Sequence, residues 1–262
     1  QMVVLRGELV LNAGAKILGG DVDANVITNA FFMDQPSGSL TVNRGAEINV
    51  SGKLYHQYTN DKDELVVLNK GTQTFNGGTY IIGGKLLYRD PTAEEFKNND
   101  VTLRLPNGGV ASKNNAGIRF TTVVDKAWYD AMVAAGVTVV RTGTLIVPKA
   151  FVDAAGAFTP EALKAAEKLY LDIENNGWYN GTSADDFYFY YGNMVNLSAA
   201  SISGELAGIG YMVVTVEGLG TFTVYGTQKN GTVKDIAAKM LAGGSFDSAQ
   251  TDVLEFFRGS AE

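Results

Sequence analysis

The sequence predicts a mainly β chain with an α+β C-terminal domain. The specific expectation is a short β-solenoid of about three coils, followed by a mixed sheet covered by three to four short helices. Two patterns and one compositional bias point this way. A nine-residue pattern recurs through the first third of the chain. Residues 116–148 read as strand, short helix, strand. The 31 Gly against 5 Pro in 262 residues suit many tight turns between short strands.

The repeat is apolar-x-apolar-Asn-x-Gly-small-x-x. It stands first at Leu9-Val10-Leu11-Asn12-Ala13-Gly14-Ala15-Lys16-Ile17 and again at Leu40-Thr41-Val42-Asn43-Arg44-Gly45-Ala46-Glu47-Ile48. A looser match begins at Val66-Val67-Leu68-Asn69-Lys70-Gly71. From Gly14 to Gly45 is 31 positions, and from Gly45 to Gly71 is 26. Such a period suits one coil whose apolar face is buried only by a stacked neighbour. The Asn-x-Gly element suits a bend with a positive φ. Leu11, Val42 and Leu68 are then expected to lie over one another as aliphatic rungs. The same spacing also fits a three-layer β-sandwich with similar turns. Short strands are expected at 53–57 and 79–82, and one helical turn near Asp90-Pro91-Thr92. Loop signals place the domain boundary between Pro106 and Asn115, giving domains at 1–110 and 111–262.

In the second domain, Gly117-Ile118-Arg119-Phe120-Thr121-Thr122-Val123-Val124 is rich in β-branched residues, as a half-buried strand requires. Arg119 points away from the face of Ile118 and Phe120, and an ion pair with Asp130 is expected. Asp125 is placed to cap a helix over 126–135, with Trp128 and Met132 on one face and Gly136 ending it. A second strand covers 137–147. Thr159-Pro160-Glu161 opens the next helix, with Thr as N-cap and Pro at the first position. Its apolar face is Leu163, Ala166 and Tyr170. Strand residues 210–216 and 220–225 flank Glu217-Gly218-Leu219 as a hairpin. Two closing helices are expected from about Thr232 and about Ser248.

Six stretches carry a resemblance: Gly117-Ile118-Arg119-Phe120, Tyr129-Asp130-Ala131, Gly143-Thr144-Leu145-Ile146-Val147-Pro148, Phe158-Thr159-Pro160-Glu161-Ala162-Leu163, Gly210-Tyr211-Met212-Val213-Val214 and Val233-Lys234-Asp235-Ile236-Ala237. With these, residues 116–258 resemble a module that recurs near the C-termini of large secreted cell-surface proteins of anaerobic Gram-positive bacteria. Arg141-Thr142 departs from the pattern, where an aromatic residue is expected. The resemblance implies an exported, non-catalytic module, often next to repeats, and supplies no catalytic residue.

Composition narrows the function classes. A net charge of −7, with no cluster of Lys and Arg, argues against nucleic acid. No run approaches the ~20 apolar residues of a membrane helix, so no membrane insertion is expected. The absence of cysteine removes disulfides, thiol catalysis and Cys-ligated zinc. Gln1 is not an initiator, so a longer or processed precursor is expected.

The best ligand candidates are Trp178, Tyr179, Tyr188 and Tyr190. Alternation puts Tyr188 and Tyr190 on one face, and Phe187, Phe189 and Tyr191 on the other. The phenylalanine face is expected in the core and the tyrosines in a platform for sugar rings. Asp21 and Asp23, and Asp61 and Asp63, offer alternating oxygens for calcium, but neither stretch has the Gly and distal Glu of an EF-hand loop. No other cofactor is expected. Asp61, Asp63, Glu64, Asp185 and Asp186 are the carboxylates to weigh for glycoside hydrolysis; solvated loop charge is the plainer reading. His56 is the only histidine, and no Gly-x-Ser-x-Gly surrounds a serine.

The resulting expectation is a non-catalytic, extracellular, structural or adhesive surface-protein fragment, a stalk with a capping module, with self-assembly as a related form. Its partners would be other domains of the same precursor or neighbouring copies joining the first coil near Met2 to Leu5. One alternative is a carbohydrate-binding accessory module of a polysaccharide-degrading protein. Another is a lyase or hydrolase on the solenoid groove.

Overall fold

The computed structural model describes residues 3–19, 31–33, 35–105, 116–175, 177–179 and 185–259. The chain is mainly β, with several sheets and six helices among the described residues. It divides into two compact units. The first comprises residues 1–91, 128–140 and 213–224; the second comprises 92–127, 141–212 and 225–262. The segment expected to hold the domain boundary, 106–115, lies outside the described residues.

In the first unit, β1 (Val3–Val4), β2 (Glu8–Leu11) and β3 (Lys16–Leu18) are followed by β4 (Phe31–Phe32), β5 (Ser39–Asn43) and β6 (Glu47–Val50). Next come β7 (His56–Thr59), β8 (Leu65–Leu68), β9 (Thr72–Asn76), β10 (Thr79–Ile82) and β11 (Lys85–Arg89). Three sets of parallel pairings recur. β1 pairs with β4, and Phe31 bridges onward to Tyr55. β2, β5 and β9 pair in that order, with Leu11 opposite Val42 and Val42 opposite Phe75. β3, β6 and β10 do the same, with Ile17 opposite Ile48 and Ile48 opposite Tyr80.

Leu11, Val42 and Phe75 are all buried, as are Leu40, Ile48 and Tyr80. Each such side chain contributes on the order of 1.5–3 kcal/mol by leaving water. Burial is incomplete in the first layer. Leu9 and Ile17 are half-buried, whereas Leu40 and Ile48, one layer on, are fully buried.

The third rung differs from the sequence expectation. Leu68 belongs to β8, which pairs antiparallel with β7 in a separate hairpin sheet. Phe75 takes its place. The chain holds two Asn-x-Gly triplets seven residues apart, Asn69-Lys70-Gly71 and Asn76-Gly77-Gly78. The second one stacks. Asn43 Nδ2 donates to Asn12 Oδ1 at 2.9 Å, and Asn76 Nδ2 donates to Asn43 Oδ1 at 3.0 Å. The glycines of these turns, Gly14, Gly45 and Gly78, have φ of 84°, 79° and 116°, where a Cβ would be strained. Gly71 serves close approach instead, since a Cβ there would lie 2.1 Å from the Gly38 carbonyl oxygen.

β11 turns back antiparallel onto β10 and leads into Asp90. The Asp90 carboxylate accepts the Gly78 N–H at 2.8 Å, the Gly45 N–H at 3.0 Å and the Tyr88 hydroxyl at 3.2 Å. One side chain thereby holds two successive turns. Within the same unit, Tyr88 meets Phe222 edge-on at 5.1 Å, and the Trp128 indole N–H donates to the Arg89 carbonyl at 3.4 Å.

The second unit is built on β12 (Phe96–Arg104), β13 (Gly117–Asp125), β15 (Leu171–Asn175), β16 (Phe187–Val195) and those parts of β14 (Thr138–Pro148), β17 (Glu205–Val216) and β18 (Gly220–Thr232) that fall at 141–148, 205–212 and 225–232. Their order in the sheet is β15-β14-β17-β18-β12-β13-β16. The sheet curls until its two edges meet: Asn175 Nδ2 donates to the Tyr191 carbonyl at 3.0 Å. Small residues allow the curvature. A Cβ at Gly208 or Gly210 would come within 2.4 Å of Phe120 or Thr122.

The helices are α1 (Lys126–Ala134), α2 (Lys149–Ala155), α3 (Pro160–Ala165), α4 (Ala199–Ser203), α5 (Val233–Gly243) and α6 (Ser248–Gly259). α1 buries Trp128 and Met132. α3 starts as expected, with the Thr159 hydroxyl accepting the Ala162 N–H, but ends before Tyr170 because Glu167 adopts φ 57°. Thr232 caps α5 by accepting the Asp235 N–H. Val233, Ile236, Val253, Leu254 and Phe257 of α5 and α6 pack on Val101, Leu103, Ile118 and Phe120 of the sheet. The helical turn expected after Asp90 is a hydrogen-bonded turn, with reciprocal bonds between Thr92 and Glu95. No helix among the described residues is long and apolar enough to cross a membrane.

Asp90→Ala leaves the Gly45 and Gly78 N–H groups without their acceptor, and a loss of about 2–4 kcal/mol is expected by urea denaturation. Burial pushes the Asp90 carboxyl above its ordinary value, against the pull of the two N–H groups and Arg44. The folded chain keeps this proton to higher pH than the unfolded chain, whose carboxyl titrates near ~3.9. The contribution of this group is therefore full at low pH and declines as pH rises through the folded value. In Asp90→Asn that decline is expected to vanish from the stability–pH profile.

Candidate functional site

The aromatic concentration of the second unit lies on β16 and the segment beside it. Strand alternation sends Tyr188 and Tyr190 to one side, and Phe187, Phe189 and Tyr191 to the other. Pairing with β13 then decides which side is which. Tyr190 stands opposite Thr122, which is fully buried beside Phe120 and Val124. The Tyr190 side therefore goes inward, and the phenylalanine side outward. This reverses the sequence expectation.

Tyr190 is 1% exposed, and its hydroxyl donates to the Tyr211 carbonyl at 3.0 Å. Burial pushes this hydroxyl well above the ordinary tyrosine range. Tyr211 in turn donates to Asp172 Oδ1 at 2.6 Å, and the Arg141 guanidinium lies 5.3 Å from its ring. Tyr188 is half-buried. Trp178 stacks on it at 5.0 Å and 19°, and the Lys126 ammonium lies 5.0 Å from its ring.

Trp178 and Tyr179 straddle the β16 edge. The Tyr179 N–H donates to the Phe189 carbonyl at 2.8 Å, which sends Trp178 to the inner side and Tyr179 to the outer. The Tyr179 ring lies 5.3 Å from Phe189 and 4.8 Å from Tyr191. Phe187 continues the strip, 6.3 Å from Phe189. At the other end the Arg119 guanidinium lies 4.3 Å over Tyr191, and its Nε–H donates to Asn193 Oδ1 at 2.9 Å. Arg119 thus holds an aromatic ring and an amide. Burial and the Tyr179 hydroxyl raise the Tyr191 hydroxyl, opposed by Arg119 and Arg104. Tyr179 is 68% exposed and Phe187 40%.

Of the four ligand candidates, Tyr179 lies on this outer strip and the other three do not. The sequence reading puts Phe187, Phe189 and Tyr191 of the same aromatic run on the face opposite the ligand platform and assigns Arg119 a structural role. The relevant signal is Arg119 itself, a polar residue out of phase with Ile118 and Phe120, on the strand that pairs with β16.

Asp61 and Asp63 lie in the turn between β7 and β8. There Asn60 Oδ1 accepts the Lys62 and Glu64 N–H groups at 3.0 Å each, and Asp63 takes φ 58°. Asp21 and Asp23 lie outside the described residues. Among the described residues, no three His, Cys, Asp or Glu side chains gather as a metal site. A cleft of about 260 Å³ in the second unit is lined chiefly by Val101, Ile236, Met240 and Phe246, with Asp100 and Lys239 3.9 Å apart.

Tyr190→Phe tests the inner assignment. The hydrogen bond from the Tyr190 hydroxyl to the Tyr211 carbonyl is lost, and about 1 kcal/mol of stability should go in urea denaturation. No change would mean that this bond is absent in solution. The chain matches no known family model, no curated protein sequence and no solved structure.

Proposed function

We propose that the chain is a segment of an extracellular surface protein that acts through its geometry and performs no catalysis. In this reading the first unit is a short β-solenoid serving as a stalk. The second is an exported module of the kind that residues 116–258 resemble. One observation carries the reading: the in-register parallel order of Leu11, Val42 and Phe75, alongside the amide run Asn12, Asn43 and Asn76. Layers stacked in this way give a rod stiff along the stacking direction, suited to holding a neighbouring domain away from a surface. The antiparallel β11 favours a stalk over an endless fibre, because it occupies the β10 edge that a further parallel strand would need.

Immunogold labelling of intact, unpermeabilised cells that make this chain is the direct test. Label on the outer surface is expected. Label that appears only after permeabilisation would rule the reading out.

A further inference from the structure

We infer that the outward face of β13 and β16 binds a neutral polysaccharide, along the strip from Phe187 through Tyr179 and Tyr191 to Arg119. The inference rests on this face alone and does not depend on the stalk reading. The rings are continuous: Phe187, Phe189, Tyr179 and Tyr191 follow one another at centroid distances of 6.3, 5.3 and 4.8 Å. Phe189 and Tyr191 are half-buried, while the rings of Tyr179 and Phe187 remain exposed. A contiguous exposed apolar strip is costly in water and marks a binding surface.

The chemistry at its end selects the ligand. Arg119 is fixed by its Nε–H bond to Asn193 and by the Tyr191 ring, and among the described residues its terminal nitrogens hold no hydrogen bond. Flat aromatic bodies beside a fixed set of N–H donors suit a molecule with apolar ring faces and hydroxyl edges. That molecule is a sugar chain. Asp185 and Asp186, both exposed, immediately precede Phe187, and the whole chain carries a net charge of −7. A polymer lying along the strip passes from these carboxylates at the Phe187 end to Arg119 and Arg104 at the Tyr191 end, so a chain carrying one sign of charge is disfavoured at one end or the other, which favours a neutral polymer. An extended peptide fits less well. Strand addition at this edge needs the Phe189 and Tyr191 carbonyls, which already accept from the Tyr179 N–H and Asn175 Nδ2.

The test is affinity electrophoresis of the whole chain. Gels contain neutral polymers (xylan, mixed-linkage glucan, galactomannan, glycogen) or anionic ones (polygalacturonate, alginate). At least one neutral polymer should retard the chain. Tyr179→Ala should weaken that binding about tenfold, and Phe187→Ala should also weaken it, with the thermal midpoint lowered by no more than about 4 °C in either. Retardation by anionic polymers alone, or by none, overturns the inference. So does retardation that survives the Tyr179→Ala, Phe187→Ala double variant. An extended apolar peptide that binds this face when no polysaccharide does would overturn it equally.

Discussion

A parallel layer with short strands cannot bury its own apolar face or satisfy its own turn, and the first unit depends on that constraint. Each strand borrows its hydrogen bonds from the layer beside it, so position along the strand must match from layer to layer. The Asn-x-Gly turn enforces the match. Glycine permits the positive φ, and the asparagine amide donates to the turn before it and accepts from the turn after. A slip of one residue would break this run and turn every rung outward at once. The last turns need another partner, which the Asp90 carboxylate supplies. Its burial is offset by bonds from two backbone N–H groups and a tyrosine hydroxyl.

The second unit meets the same need for paired backbone groups differently. Its sheet curls until β15 and β16 meet, and the segment 177–179 covers part of the remaining edge. Glycines at 208 and 210 admit Phe120 and Thr122 to the concave side, while α5 and α6 bury the apolar residues of β12 and β13. Once the inner side is filled, the aromatic residues of opposite phase have only the outer surface. The outer strip with Arg119 is thus a consequence of register as much as of composition.

Features governed by local rules were legible in the sequence. Thr159 before Pro160 and Thr232 three residues before Asp235 mark helix starts that the backbone adopts. Asn12-Ala13-Gly14 and Asn43-Arg44-Gly45 mark two stacked turns. What depended on distant partners was not legible. Asn69-Lys70-Gly71 and Asn76-Gly77-Gly78 look alike, and the apolar residues before Asn69 favour the wrong one. They belong to a hairpin that interrupts the stack, whereas β9 needs only Phe75 to continue it. Likewise, alternation in Phe187-Tyr188-Phe189-Tyr190-Tyr191 defines two faces but not which is inner. That choice is made by Thr122, nearly seventy residues away in sequence. The same long-range pairing gives Arg119 its partner, Tyr191 in place of Asp130.

The central claim is the register of the third layer, and cysteine trapping reads it directly, because the chain has no native cysteine to interfere. Parallel neighbours in register lie within reach of a disulfide, whose Cα atoms are typically about 4.4–6.8 Å apart. Under mild oxidation, Asn43→Cys with Asn76→Cys should cross-link in the folded chain, and Asn43→Cys with Asn69→Cys should not. The opposite pattern would place Asn69 in the stack and contradict the account.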